Sequence, residues 1–265
     1  MTLQGSNVLL TGASMGIGSA IAEALAAKSA NLILFSRSEN KLQSLADKIK
    51  EQHATKVIYK AVDIQDYTAV ENAVKSSVQE LGQVDILVNN AGLALGAPSA
   101  FHDLRISDIL AMNNTNINGL MFVTHAVLNA SMITRKAGTI LNITSVTGLE
   151  VPPFPGEAVY HSNKAAQEAF TNALRNELSG TNIRVMALRP GCVATNFHSQ
   201  RVGHDKEMYN SFFEGFQPLE PMDIADSAVY MLEQPLNRSV KALDVVPSAQ
   251  RSLTVFDREW NKRNA

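Results

Sequence analysis

Asn7-Val8-Leu9-Leu10-Thr11-Gly12-Ala13-Ser14-Met15-Gly16-Ile17-Gly18 is the stretch that decides the fold. Asn7 to Leu10 is an apolar run of strand length, and Gly16 to Lys28 has the spacing of a helix. Three glycines lie between and just inside these elements. Glycine there permits a tight turn, a close backbone approach to a pyrophosphate, and close helix–strand packing. The helix N-terminus adds unpaired N–H groups that suit phosphate oxygens. The spacing is GxxxGxG, not the GxGxxG of the standard dinucleotide fingerprint. Its placement after a strand and before a helix is what gives it weight.

Working outward, short apolar runs alternate with amphipathic segments. Strands are predicted at Leu32–Ser36, Val57–Val62, Asp85–Val88, Thr139–Ile143, Arg184–Leu188 and Leu243–Val246. Helices are predicted at Ser38–His53 with Ser38 as N-cap, Tyr67–Leu81, Asn113–Thr134, Ala158–Leu178 and Asp223–Glu233. The alternation implies an α/β fold, a doubly wound parallel sheet of about seven strands with helices on both faces. No Gly/Ser/Pro linker divides the chain, so residues 1–265 read as a single Rossmann-fold domain. Thr195 to Leu219 breaks the alternation. It is polar and weakly periodic, and reads equally as a small lid or as an extra surface helix pair.

The second strand ends Phe35-Ser36-Arg37, and no carboxylate occurs between Ala24 and Ser38. A site for NAD places Asp or Glu near this point, whereas a guanidinium suits a 2′-phosphate and stacks on adenine. Ser14 can add a hydrogen bond. The expected cofactor is therefore NADP(H) rather than NAD(H).

With 265 residues, 45% hydrophobic and 18% charged, the chain can bury a sizeable core. A net charge of −2 gives no basic footprint for nucleic acid. The single cysteine, Cys192, excludes an intrachain disulfide framework and fits a reducing compartment, so a cytoplasmic location is expected. Met1 to Leu10 lacks the features of a signal peptide, and no continuous apolar run is long enough to span a bilayer. The scattered histidines form no HExxH-type pair, so no metal site is expected.

Tyr160 and Lys164 in Tyr160-His161-Ser162-Asn163-Lys164 share one face of a predicted helix. A phenol titrates near ~10, too high for acid–base work at neutral pH, and a nearby cation lowers that value. Alone, such a pair is common on solvated helix faces.

Taken together, the motifs resemble those of the classical short-chain dehydrogenase/reductase family from Thr11 to about Pro247. Thr11-Gly12 with Gly16 and Gly18 is similar to the family's cofactor loop, which brings Ile17 with it. Asp63-Ile64 matches its adenine contact, and Asn89-Asn90-Ala91-Gly92 its fourth-strand motif. Asn116-Ile117-Asn118-Gly119 matches the element carrying an active-site Asn. Ser145, Tyr160 and Lys164 match the catalytic set, and Pro190-Gly191-Cys192-Val193-Ala194-Thr195 the segment over the nicotinamide. The resemblance implies hydride transfer between a nicotinamide and a carbonyl or secondary alcohol. Tyr160 would be acid and base, Lys164 would tune it and hold ribose hydroxyls, and Ser145 would orient the carbonyl. Asn116 would help hold a water linking Lys164 to solvent. It also implies a homotetramer or homodimer packed through the helices near Asn113 and Ala158. Within the family, Arg201-Val202-Gly203, Pro218-Leu219 and Val246-Pro247 resemble the NADP-dependent serine and 3-hydroxy acid dehydrogenases and fungal-type reductases.

Ser145 precedes Tyr160 by more residues than is usual in that family, and Pro152, Pro153 and Pro155 stiffen the insertion. Arg189 or Arg201 could anchor a substrate carboxylate. Cys192 reads as buried filler, and His161 as a surface residue on another helix face. An alternative substrate is a bulky biosynthetic ketone or aldehyde in a pocket shaped by Phe154, Phe197, Phe212, Phe213 and Phe216. A different class, a non-catalytic NADPH-binding regulatory protein, fits poorly with an intact Ser145, Tyr160 and Lys164.

Overall fold

A computed structural model describes residues 2–264. Seven parallel strands form one sheet in the order β3-β2-β1-β4-β5-β6-β7. They are β1 (Asn7–Thr11), β2 (Asn31–Ser36), β3 (Val57–Ala61), β4 (Ile86–Asn89), β5 (Ala137–Ile143), β6 (Asn182–Pro190) and β7 (Ala242–Val245). The central strands read as unbroken apolar runs because both their faces are covered. Val8, Leu10, Leu32 and Leu34 pack on one layer of helices, and Leu9, Ile33 and Phe35 on the other.

Helices Gly16–Ala27, Glu39–Gln52 and Pro221–Leu232 cover the first face. Tyr67–Leu81, Ile106–Arg135 and Ala158–Glu177 cover the second. Asp66 caps the Tyr67 helix by accepting from the Ala69 N–H at 3.1 Å. Ser38 does occupy an N-cap position, but its hydroxyl makes no capping bond.

The fourth helix departs from expectation. It starts at Ile106, before the predicted Asn113, and runs unbroken to Arg135 with π-turns at Asn114–Gly119 and Leu128–Met132. At 30 residues with a mean hydropathy of 1.2 over its most apolar window, it is long and apolar enough to cross a membrane by length and composition. Its apolarity has a nearer use, since Val123, Ala126, Val127 and Met132 are buried against the sheet.

The chain winds outward from β1 to β3, then crosses back to β4 and winds the other way. The carboxyl ends of β1 and β4 thus flank a switch point, where open α/β sheets bind ligands. Two excursions overhang it. Residues 194–219 form helices Asn196–Arg201 and Lys206–Phe212, so the helix-pair reading describes their form. The ends of this excursion are pinned together, with the Ala194 N–H bonded to the Leu219 carbonyl at 2.7 Å and the Leu219 N–H to the Cys192 carbonyl at 3.0 Å. The second is a hairpin of β8 (Gln250–Ser252) and β9 (Val255–Phe256), too short to be legible in the sequence.

Candidate active site

A cleft of about 300 Å3 opens at the switch point. Its floor is the glycine loop. A Cβ on Gly18 would lie 2.2 Å from the Gly12 carbonyl oxygen, and one on Gly12 2.8 Å from Ala91 Cα, so both glycines are required by backbone contact. Gly16 has φ +57°, and its missing Cβ would point across to Thr195 at 3.5 Å. The helix beginning at Gly16 has neither a side-chain cap nor an acidic residue in its first turn. Its N–H groups are left for an anion, which is the donor set a pyrophosphate requires.

The cleft is lined by Gly12, Ser14, Gly16, Ile17 and Gly18 from the loop, and by Ser36 and the exposed Arg37 after β2. Asp63 and Ile64 follow β3, and Ala91 and Gly92 follow β4. Pro190, Gly191, Val193 and Thr195 close it after β6. Two expected contacts stand behind this wall instead. Thr11 is buried and its hydroxyl accepts from the N–H groups of Asn90 and Ala91 at 3.0 and 3.1 Å. Asn89 donates to Thr124 and Asn142, each at 2.9 Å. Both brace the strand ends without reaching the cleft.

Ser145, Tyr160 and Lys164 meet in its deep end. Ser145 ends the β5 segment, and its Oγ accepts from the Thr147 N–H at 3.1 Å, which fixes its rotamer. Lys164 Nζ lies 5.7 Å from the Tyr160 ring centre and donates to the Ile143 carbonyl at 3.1 Å and to Gln167 Oε1 at 3.0 Å. Burial pulls Lys164 down to about 7, against the opposing charge of Glu168. Burial pushes the Tyr160 phenol above its ordinary value, and Glu157 adds to the rise. Arg201 and a hydrogen bond with Ser145 act the other way. The cation that lowers Tyr160 in the protein alone is thus Arg201.

Asn116 lies outside the cleft wall, within the first π-turn. Its Oδ1 accepts from the Leu93 N–H at 2.9 Å, and its Nδ2 donates to the Leu93 carbonyl at 2.8 Å and to Asn163 Oδ1 at 3.1 Å. The side chain is fully used in holding the loop after β4. Its backbone carbonyl accepts from Gln167 Nε2 at 2.6 Å.

The two candidate arginine anchors separate. Arg189 is outside the cleft, paired with Glu168 at 3.0 Å and Asp244 at 2.9 Å. Arg201 lines the cleft, 6% exposed, in an ion pair with Glu157, which is 3% exposed. Burial raises the Glu157 carboxyl while Arg201 opposes the rise. Among the described residues, Arg201 Nε has no hydrogen-bond partner.

Of the phenylalanines, Phe197 faces the cleft, 5.6 Å from the Tyr160 ring. Phe154, Phe212, Phe213 and Phe216 turn away into an aromatic cluster shared by residues 194–219, the loop before the Ala158 helix and the hairpin, with Phe256 inside it and His198 between it and the cleft. His198 is held down to about 3 by burial and by Arg201, so it stays neutral there. Cys192 is buried filler whose thiol burial pushes up to about 12. His161 is half-buried and bonded to the Thr147 carbonyl, not a free surface residue.

Sequence reasoning missed Glu157, Gln167 and Leu253. Leu253 enters the cleft wall from the hairpin, fixed by its N–H to Glu150 Oε2 at 2.8 Å. Glu157 and Gln167 stand three residues before Tyr160 and three after Lys164, a spacing that could have flagged them.

Similarity to known proteins agrees with this geometry. An NADP-dependent 3-hydroxy acid dehydrogenase of Schizosaccharomyces pombe is 35% identical over 249 residues, covering 94% of this chain and 95% of that one. Sulfoacetaldehyde reductase 2 of Chromohalobacter salexigens is 37% identical, covering 92% and 94%. Among solved structures, the closed form of a serine dehydrogenase complexed with NADP+ superposes with a TM-score of 0.85 at 32% identity, covering 93% and 96%. The model of the short chain dehydrogenase family matches residues 6–206, and this chain belongs to that family.

Proposed function

We propose that this chain is an NADP(H)-dependent carbonyl reductase, reversible as an alcohol dehydrogenase, whose substrate carries an acid group on the carbon next to the reacting one. The observation that carries the reaction class is the meeting of Ser145, Tyr160 and Lys164 in the deep end of the glycine-loop cleft. Gly12, Gly16 and the uncapped helix N-terminus would hold the pyrophosphate, and Arg37 with Ser14 the 2′-phosphate. The bound cofactor supplies the hydride. Lys164 would grip the ribose hydroxyls with its remaining N–H. Tyr160 gives its proton to the carbonyl oxygen in reduction and takes it back in oxidation, while Ser145 donates a hydrogen bond to that oxygen. Arg201 and the Ser145 hydrogen bond partly offset the rise that burial imposes on the phenol, which favours Tyr160 as the proton donor in reduction.

Arg201 supports the acidic substrate. It is a guanidinium in the cleft wall with an unpartnered Nε. The relatives named for 3-hydroxy acids and sulfoacetaldehyde share one layout, an acid group on the carbon adjacent to the reacting carbon. The bulky-ketone reading loses its support because four of its five phenylalanines pack away from the cleft. NADPH oxidation across 3-oxo acids, sulfonated aldehydes and neutral ketones tests the proposal. Preference for the acids, reduced by Arg201→Ala, is expected; equal rates on neutral ketones would overturn the substrate assignment.

A further inference from the structure

Lys164 is 4% exposed, and its ammonium has two protein acceptors, the Ile143 carbonyl and Gln167 Oε1. Gln167 is itself 2% exposed. Its amide is read at both ends: Oε1 accepts from Lys164 at 3.0 Å and Nε2 donates to the Asn116 carbonyl at 2.6 Å. Turning the amide over would set donor against donor and acceptor against acceptor, so its orientation is fixed by its partners. Asn116 is in turn clamped to Leu93 and Asn163. A rigid line therefore runs from the loop after β4 through Asn116 and Gln167 to the ammonium.

We propose that Gln167 is a positioning residue for Lys164, bridging it to the Asn116 carbonyl and holding it charged and aimed into the cleft. A buried ammonium that loses a hydrogen-bond acceptor is destabilised relative to its neutral form. The bridge is an amide, which aligns the ammonium but passes no proton along the line, unlike the water expected at Asn116 from the sequence. Glutamine suits the place where glutamate would not, since a carboxylate has no donor for the Asn116 carbonyl. Glu168 is the charged group that acts on Lys164, favouring its protonated form. Glu168 on the same helix is paired with Arg189 of β6 and accepts from Thr144 after β5. Arg201 and Glu157 act on Tyr160 from the lid and from the turn before its helix. The π-turn and the loop after β4 contribute the neutral groups Asn116 and Gly92.

The functional weight of Gln167 rests on the catalytic reading above, but its test does not. Lys164 is titrated by NMR of the 13Cε-lysine-labelled chain, its signal assigned with Lys164→Met, in wild type, Gln167→Met and Gln167→Glu. Gln167→Met should lower the Lys164 midpoint by about one pH unit, and Gln167→Glu should raise it. The alkaline limb of NADPH-dependent reduction, which marks loss of the first proton from the Tyr160–Lys164 pair, should move the same way in each variant. If Gln167→Met does not fold, the upward shift in Gln167→Glu decides alone. An unmoved midpoint, or a rate loss equal at every pH, overturns the inference. Retained turnover in Tyr160→Phe would instead overturn the catalytic reading and leave the titration standing.

Discussion

Arg37 stands exposed at the cleft edge after β2, with Ser14 and Ser38 also lining that edge and no carboxylate among them. On the proposed reading, its guanidinium would distinguish a 2′-phosphate from a hydroxyl. Losing a charge-assisted contact of this kind costs ~1.5–3 kcal/mol, so Arg37→Ala should weaken NADPH about tenfold or more and leave NADH nearly unchanged. Fluorescence titration of both nucleotides checks this. Behind the cleft wall, Glu157 is already paired with Arg201. An acidic substrate must compete with that carboxylate, so Glu157→Gln should lower KM for 3-oxo acids and leave KM for neutral ketones in place. Steady-state kinetics on the two substrate types would show it. The spacing of Tyr160 and Lys164 placed them on one helix face, and the resemblance of the whole motif set singled them out together with Ser145. Glu157 and Gln167 stand at helical spacing from that pair, but the partners that give them weight come from distant segments, Arg201 of residues 194–219 for one and the π-turn carbonyl of Asn116 for the other.

Among the elements, those with strong physical periodicity were read correctly from the sequence. The strands are buried on both faces and appear as apolar runs, and β2 and β4 were placed within a residue or so. The fourth helix was begun seven residues late, at Asn113 instead of Ile106. Its first turns bury little apart from Met112, so the apolar stripe that betrays a helix is weak there. The glycine turn is the least tolerant element. A Cβ on Gly18 meets backbone, not a side chain that could swing aside. Gly18→Ala should therefore lower thermal stability and abolish NADPH binding together, read by melting with and without nucleotide. Residues 194–219 are held to the rest by a pinned base, by the Arg201–Glu157 pair and by rings of Phe212 and Phe216 packed on Phe154 and Phe256. Proteolysis of residues 196–212 should slow when NADPH and an acidic substrate are present together.

For the molecule as a whole, burying the charged Lys164 costs stability. Its folded value lies near 7, below the ordinary lysine value, so from about pH 7 up to ~10.4 the unfolded chain binds more protons than the folded one. Stability contributed by this group rises with pH across that window, and below it the cost of burying the cation is fully present. Relative to Lys164→Met, the wild-type chain without nucleotide should therefore gain stability from about pH 7 to pH 9 in urea unfolding. Helix Ala158–Glu177 sets that costly cation beside the phenol, and the loops after β1, β4, β5 and β6 build the rest of the cleft around the pair. The most direct measurement is single-turnover NADPH oxidation with a 3-oxo acid by wild type and Tyr160→Phe, each shown to bind NADPH with similar affinity. The account predicts that Tyr160→Phe loses the hydride step by roughly two to four orders of magnitude, the usual contribution of a positioned general acid. Oxidation at near wild-type rate by Tyr160→Phe would contradict it.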